Sequence, residues 1–280
     1  MLDKISVYGG TGFVGNIFVK KYWEEIIVIP REERIPQSNH IVYFLSTTSN
    51  YNVFDNLLLD IDVNLNILME VLDHCKTSNI VFNYISTGFV YGNDVLNSKE
   101  TDHCDPKGFY SITKRSAEQL LISFCETFGV KYRIIRISSI YGKDKTQSNT
   151  KNVLGHMVNL LKDDMEISLY DGGEYYRDYM HVEDVSRAIK SVIEYGELNS
   201  IYNIGTGEPR LYKDVIFLAK KILNSNSNIV SVETPDFYKK VQYGNFTLNV
   251  DKLKLLGFQI SIPLEDGLND LCCSKFYDII

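Results

Sequence analysis

Lys4-Ile-Ser-Val-Tyr-Gly-Gly-Thr-Gly-Phe-Val-Gly15 is the stretch that decides the fold. Its first residues read as a short apolar strand, and the run that follows, through Trp23, reads as a helix. Strand, glycine turn and helix in that order are the context in which glycines cradle a phosphate. Gly9 permits the tight turn, Gly12 lets the backbone approach a pyrophosphate, and Gly15 lets the helix pack on the strand. Amides left free at the helix start then face the anion. Thr11, Phe13 and Val14 complete the loop that would surround it.

Working outward, Ile26–Ile29, Ile41–Leu45, Ile80–Ile85 and Tyr132–Arg136 read as further strands, separated by helical runs. Alternation of this kind predicts an α/β fold, a doubly wound parallel sheet. At 280 residues the chain is long enough for a second, smaller lobe. The net charge of −7 gives no electrostatic footprint for nucleic acid or an acidic membrane. No apolar run approaches the roughly 18 residues that span a bilayer. The five cysteines form no Cys-x-x-Cys pair and no metal spacing with the five histidines, so free thiols and no metal are expected. With no basic-then-apolar leader in view, the expectation is a cytoplasmic protein.

The second informative stretch is Tyr110-Ser-Ile-Thr-Lys114, at the start of an amphipathic helix whose apolar residues Ile112, Leu120, Leu121, Phe124 and Phe128 recur at three- and four-residue steps. Residues four apart share a helix face, so the phenol of Tyr110 and the ammonium of Lys114 are expected to converge. A cation beside a phenol favours the phenolate, which predicts a Tyr110 pKa below the reference of about 10. Such a pair could donate and accept protons near neutrality.

Taken together, Gly9-x-x-Gly12-x-x-Gly15 and Tyr110-x-x-x-Lys114 resemble the extended branch of the short-chain dehydrogenase/reductase superfamily, the NAD-dependent epimerase/dehydratase family of sugar-nucleotide enzymes. The resemblance runs from end to end. Ser86-Thr87-Gly-Phe-Val-Tyr-Gly92 is similar to the family's Ser-Ser/Thr-x-x-Val-Tyr-Gly segment, and Glu100 and Pro106 match the loop before the tyrosine. Tyr176-Arg-Asp-Tyr-Met-His-Val-Glu-Asp184 resembles its Arg-Asp-Tyr-Ile-His-Val-x-Asp signature. Tyr202–Gly207, Asn249–Phe258 and Pro263–Leu268 are further landmarks.

The resemblance implies a Rossmann domain of residues 1–145 plus about 182–206. A mixed substrate lobe would comprise about 146–181 and 207–280. It implies Thr87, Tyr110 and Lys114 as the catalytic set. Gly9, Thr11, Gly12, Phe13, Val14, Gly15, Arg31, Leu45, Ser46 and Thr47, with Tyr110 and Lys114, would hold the dinucleotide. Thr87, Gly88, Phe89, Ser139, Asn152, Val153, Arg177 and Lys239 would hold a nucleotide-sugar substrate, Arg177 at the diphosphate, while His181 would be structural. A homodimer through the helices around 62–75 and 110–128 is expected on the same ground.

Departures from the family pattern sharpen the reading. NAD-using relatives end the second strand with an acidic residue, whereas Pro30 and Arg31 stand here; a cation there resembles the NADP-preferring members. Only some ten residues then precede the next strand, too few for the usual helix and third strand. Asp62 stands where the helix motif Asn-Val-x-Gly-Thr has asparagine. Gly88 and Phe89 replace the Asp-Glu pair of the dehydratases, which argues against 4,6-dehydration. The function implied is NADP(H)-dependent reduction of the 4-keto group of a nucleotide-linked 4-keto-6-deoxy sugar. The alternatives are an NAD-dependent nucleotide-hexose 4-epimerase and a catalytically silent dinucleotide-binding scaffold.

Overall fold

A computed structural model describes residues 4–77, 79–143 and 152–273. Six parallel strands form the main sheet in the order Ser200–Ile204, Lys131–Ile137, Val81–Thr87, His40–Tyr43, Ile5–Tyr8, Ile26–Val28. Strands buried on both faces carry near-continuous apolar runs, and Ile5–Tyr8 is buried at every position. Helices cover both sides. Phe13–Lys21 and Val182–Tyr195 pack with Ile5, Ile135, Ile189 and Tyr202 in one core, while Ile67–Asp73 and Gly108–Phe128 pack with Ile41, Phe82 and Ile134 in the other.

A sheet of this class usually runs 3-2-1-4-5-6 from its outer edge. Here the chain passes from Ile26–Val28 straight to His40–Tyr43 on the far side of the first strand, so the unit that would extend the sheet beyond Ile26–Val28 is missing. The connecting segment is tied down instead. Tyr8 Oη donates to the Arg34 carbonyl at 2.8 Å, Gln37 N donates to Ser6 Oγ at 2.9 Å, and Arg34 Nε reaches Glu70 at 2.6 Å.

A second, mixed sheet joins Pro209–Leu211, Tyr176–His181, Phe246–Leu248 and Val95–Ser98, with Ser139–Tyr141 paired to Tyr176–His181. It therefore takes one strand, Val95–Ser98, from between the fourth and fifth strands of the main sheet. A third core, holding Tyr141, Leu154, Leu169, Ile216 and Leu268, lies beneath this region.

The apolar stripe of the central helix faces two ways. Of the apolar stripe on Gly108–Phe128, Leu121 is buried, but Ile112 is 46%, Leu120 43% and Phe128 40% exposed. The inward face carries Ser111, Thr113, Lys114, Ala117, Glu118, Leu121 and Cys125. Polar residues point in because partners wait for them in the sheet, and the stripe that resembles a core face points out.

Candidate active site

Thr87 and Tyr110 meet at the carboxyl edge of the main sheet, where parallel sheets place their ligand sites. Thr87 ends its strand and is 6% exposed; its Oγ1 accepts from Phe89 N at 3.3 Å and so starts the short turn Gly88–Tyr91. Tyr110 stands in the first turn of the central helix, half-buried, with its hydroxyl beside Thr87. Asn50 Oδ1 accepts from Tyr110 N at 3.2 Å and fixes the backbone there.

Lys114 makes its hydrogen bond to the sheet and not to the phenol. Its Nζ donates to the Ile85 carbonyl at 2.6 Å and lies 4.1 Å from the Tyr84 ring centroid. The Tyr110 pKa accordingly moves upward, not downward. Burial pushes it to about 12, the Thr87 hydrogen bond pulls it back, and the charge of Asp60 adds to the rise. Burial pushes the Lys114 ammonium down to about 7, with Glu118 opposing. At neutral pH Tyr110 is a phenol, a proton donor.

Beneath this pair lies a network that neither short motif announces. Glu118, fully buried, receives Ser86 Oγ at 2.5 Å and pairs with Arg136 Nη2 at 2.8 Å and Arg115 Nη1 at 2.8 Å. Arg136 lies 4.7 Å from the centre of the Tyr91 ring. An arginine inside Ile134-Ile-Arg-Ile137 was the available signal, since a buried guanidinium requires a buried acid. The family-like helix after residue 59 also needs correction. Asp62 is exposed and its carboxylate accepts from Asn66 at 2.9 Å, whereas Asp60, in the turn Leu59–Ile61, and Asn64, in the π-helical turn Asp62–Asn66, are each 1% exposed and point inward. Two polar residues four apart in an apolar helix were the signal for that.

The glycine turn has the geometry of a cradle. Gly9 sits at φ +73° with space for no side chain, since a Cβ there would lie 2.7 Å from Leu45 N; one at Gly15 would lie 2.3 Å from the Gly9 carbonyl. At Gly12, directly before the helix Phe13–Lys21, a Cβ would meet only that carbonyl, at 3.4 Å. The backbone is therefore open at Gly12, no acid occupies the helix's first turn, and the exposed Thr11 stands beside it. These residues fit a pyrophosphate. Phe13 is buried and Val14 half-buried, while Leu45, Ser46 and Thr47 continue from the His40–Tyr43 strand toward Tyr110. Arg31 is exposed at the end of the second strand, its guanidinium without a partner among the described residues.

The remaining candidates divide. Asn152 caps the helix Val153–Lys162 through Gly155 N at 3.0 Å and donates to the Gly142 carbonyl at 2.5 Å, so both ends of its amide are engaged. Val153 is exposed and Ser139 half-buried in its strand. Arg177, 6% exposed, donates to the carbonyls of Tyr176 (3.1 Å), Gln242 (3.3 Å) and Gly244, over the Tyr175 ring. Lys239 pairs with Glu233 at 3.0 Å near the surface. Gly88 and Phe89 pack on Phe246, the two rings 4.6 Å apart. His181 Nδ1 accepts from Glu183 N at 3.3 Å and caps its helix. A cavity of about 400 Å³ lies at Thr206, Leu253, Lys254 and Phe258 and includes none of these residues.

Among the described residues no cluster could hold a metal and no helix is long and apolar enough to cross a membrane. Residues 33–205 match the model of the NAD dependent epimerase/dehydratase family. A trifunctional UDP-glucose 4,6-dehydratase/UDP-4-keto-6-deoxy-D-glucose 3,5-epimerase/UDP-4-keto-L-rhamnose-reductase of Arabidopsis thaliana is 27% identical over 236 residues, 81% of this chain and 34% of that protein. The chain thus spans about a third of that plant relative. A putative UDP-glucose 4-epimerase of Methanocaldococcus jannaschii is 23% identical, covering 94% of this chain and 95% of its own. The UDP-glucose 4-epimerase structure from Thermotoga maritima, solved with UDP-glucose, superposes with a TM-score of 0.85 at 25% identity, covering 95% and 96% of the two chains. The chain belongs to the NAD-dependent epimerase/dehydratase family.

Proposed function

We propose that this enzyme reduces the 4-keto group of a nucleotide-linked 4-keto-6-deoxy sugar with NADPH, Tyr110 donating the proton. The observation that carries the proposal is the placement of the Tyr110 phenol, in the first turn of the central helix, beside Thr87 at the end of its strand, where burial keeps the phenol protonated. Reduction of a carbonyl consumes a proton at oxygen, and a group that is protonated at neutral pH can supply it.

In this reading Gly9, Gly12, Gly15 and the helix start hold the pyrophosphate, and Arg31 pairs with a 2′-phosphate. Leu45, Ser46 and Thr47 line the path toward the nicotinamide, and Lys114 holds its ribose. The dinucleotide supplies the hydride. Thr87 shares its hydrogen bond with the substrate carbonyl oxygen, and Tyr110 passes its proton to that oxygen as the C–H bond forms. Val153, Ser139 and Lys239 face the nucleotide-sugar, while Asn152 and Arg177 shape its wall from behind. Gly88-Phe89, packed on Phe246, supplies no acid or base, which speaks against dehydration. The outward apolar residues Ile112, Leu120 and Phe128 support a homodimer on the central helix, checked by sedimentation of the wild type against Leu120→Lys.

A second reading, an NAD-dependent nucleotide-hexose 4-epimerase, is favoured by the full-length likeness to the M. jannaschii protein. The two separate on the dinucleotide released when freshly purified protein is denatured. An empty protein that binds NADPH more tightly than NADH supports reduction. Stoichiometric NAD, kept between half-reactions, supports epimerisation and overturns the first reading.

A further inference from the structure

Two residues beyond Thr87 the chain builds an apolar shelf. Thr87 Oγ1 accepts from Phe89 N at 3.3 Å, which starts the turn Gly88–Tyr91 directly at the end of the strand. The Phe89 ring then lies on that of Phe246, with centroids 4.6 Å apart and planes 28° from parallel. Phe246 is 2% exposed and is set by the second sheet, where it is in register with Val95 on one neighbouring strand and Arg177 on the other. Gly88 makes this stack possible, since a Cβ there would lie 2.5 Å from Phe246 Cζ and 3.0 Å from Leu248 Cδ2. Phe89 itself is only half-buried, so part of its ring stays accessible while Phe246 fixes it from behind.

The polarity around Thr87 is therefore uneven. Thr87 and Tyr110 carry hydroxyls, whereas Gly88, Phe89, Phe246 and Leu248 bring no hydrogen-bonding side chain. In a hexose with its carbonyl at C4, the two flanking carbons differ. C3 carries a hydroxyl, and C5 carries a methyl, hydroxymethyl or carboxylate group. A hydroxyl or carboxylate laid against the phenyl pair would lose water and gain no partner, while a methyl is better placed there than in water. We propose that Phe89, held by Phe246, is the specificity-determining residue for the C5 substituent: its ring takes the methyl of a 6-deoxy sugar and disfavours the hydroxymethyl and carboxylate forms. This rests on the reading of Thr87 and Tyr110 as the groups that meet a C4 carbonyl.

The test is calorimetric titration of the full chain, as purified, with UDP-6-deoxyglucose against UDP-glucose and with the corresponding dTDP pair. Only the ratio within one nucleotide is read, and no turnover is needed. The wild type is expected to bind the 6-deoxy member about tenfold more tightly than its hydroxymethyl partner. Phe89→Leu keeps an apolar side chain and should keep the preference; Phe89→Gln places an amide at the shelf and should abolish it. Equal affinities in the wild type, or tighter binding of the hydroxymethyl sugar, overturn the proposal whether or not the variants fold. A preference that survives in folded Phe89→Gln overturns it as well. Failure of the reading beneath it is seen separately, as a 4-keto-6-deoxy sugar that oxidises no NADPH in a protein that still prefers the 6-deoxy ligand.

Discussion

The first three turns of the central helix, with the turn Asp62–Asn66 near them, and the segment Arg177–Asp184 both bury polar and charged side chains, but aim them at different partners. Tyr110 meets the Thr87 hydroxyl, Asn64 meets Thr47 and Thr113, and Glu118 meets Ser86 and two arginines. In Arg177–Asp184 most partners are main-chain groups of distant segments, the Thr206 hydroxyl on Asp178 and Arg187 on Asp184 being the side-chain exceptions. Arg177 bonds carbonyls of residues 242 and 244, Asp178 accepts Thr206 N at 2.8 Å and Gly207 N at 3.2 Å, and Asp184 accepts Ser261 N and Ile262 N at 2.9 Å each. The second segment therefore staples the C-terminal part of the chain to the sheets. A side chain tied mainly to backbone is structural; one that meets another side chain at a strand end can still change partner when substrate arrives. Lys114, tied to Ile85, stands between the two cases.

Mutations can break this contrast. Tyr110→Phe removes the proton donor and is expected to lower turnover by about 10²- to 10⁴-fold, with the melting temperature and dinucleotide affinity of the wild type; an equal fall in melting temperature would make it structural like Asp178. Asp178→Ala should do the opposite. It removes a fully buried carboxylate and the acceptor of Thr206 N, Thr206 Oγ1 and Gly207 N, and an expected loss of about 2–3 kcal/mol shows in urea unfolding. Arg31→Ala, remote from both segments, should weaken NADPH about tenfold and leave NADH unchanged, as loss of one charge-assisted contact does.

A further effect is electrostatic. Lys114 titrates near 7 in the folded chain against an ordinary 10.5, so between those values the unfolded chain binds more protons. Its contribution to stability therefore rises with pH across that window, and the burial penalty is fully present below about 7. Lys114→Met, which keeps the stem, should be more stable than the wild type at neutral pH, with the gap narrowing toward pH 10. Parallel unfolding curves across that range would contradict the buried, depressed lysine.

Much of this was legible in the chain because local rules and the fold agree. The strand before Gly9, the three-residue glycine spacing and the helix after it each need only neighbours in sequence, and the short step from Ile29 to Ile41 announced the missing sheet unit. Tyr110 and Thr87 came from motif order. What stayed hidden depends on partners far along the chain. The helix stripe Ile112, Leu120, Phe128 looks like a core face until Arg136 claims Glu118 from the sheet and turns the polar side inward. Lys114 was expected beside Tyr110 because four residues make one helical step, yet the Ile85 carbonyl and the Tyr84 ring are better partners for a buried ammonium. Asp60 and Asn64 were passed over for Asp62 because a π-helical turn shifts which residues face inward.

The most direct test follows NADPH absorbance at 340 nm after mixing the enzyme with UDP- or dTDP-4-keto-6-deoxyglucose, against UDP-glucose as the control. Consumption of one NADPH per 4-keto sugar, abolished in Tyr110→Phe and absent with UDP-glucose, is the predicted result. Interconversion of UDP-glucose and UDP-galactose with no net NADPH consumed would contradict it and make the enzyme an epimerase.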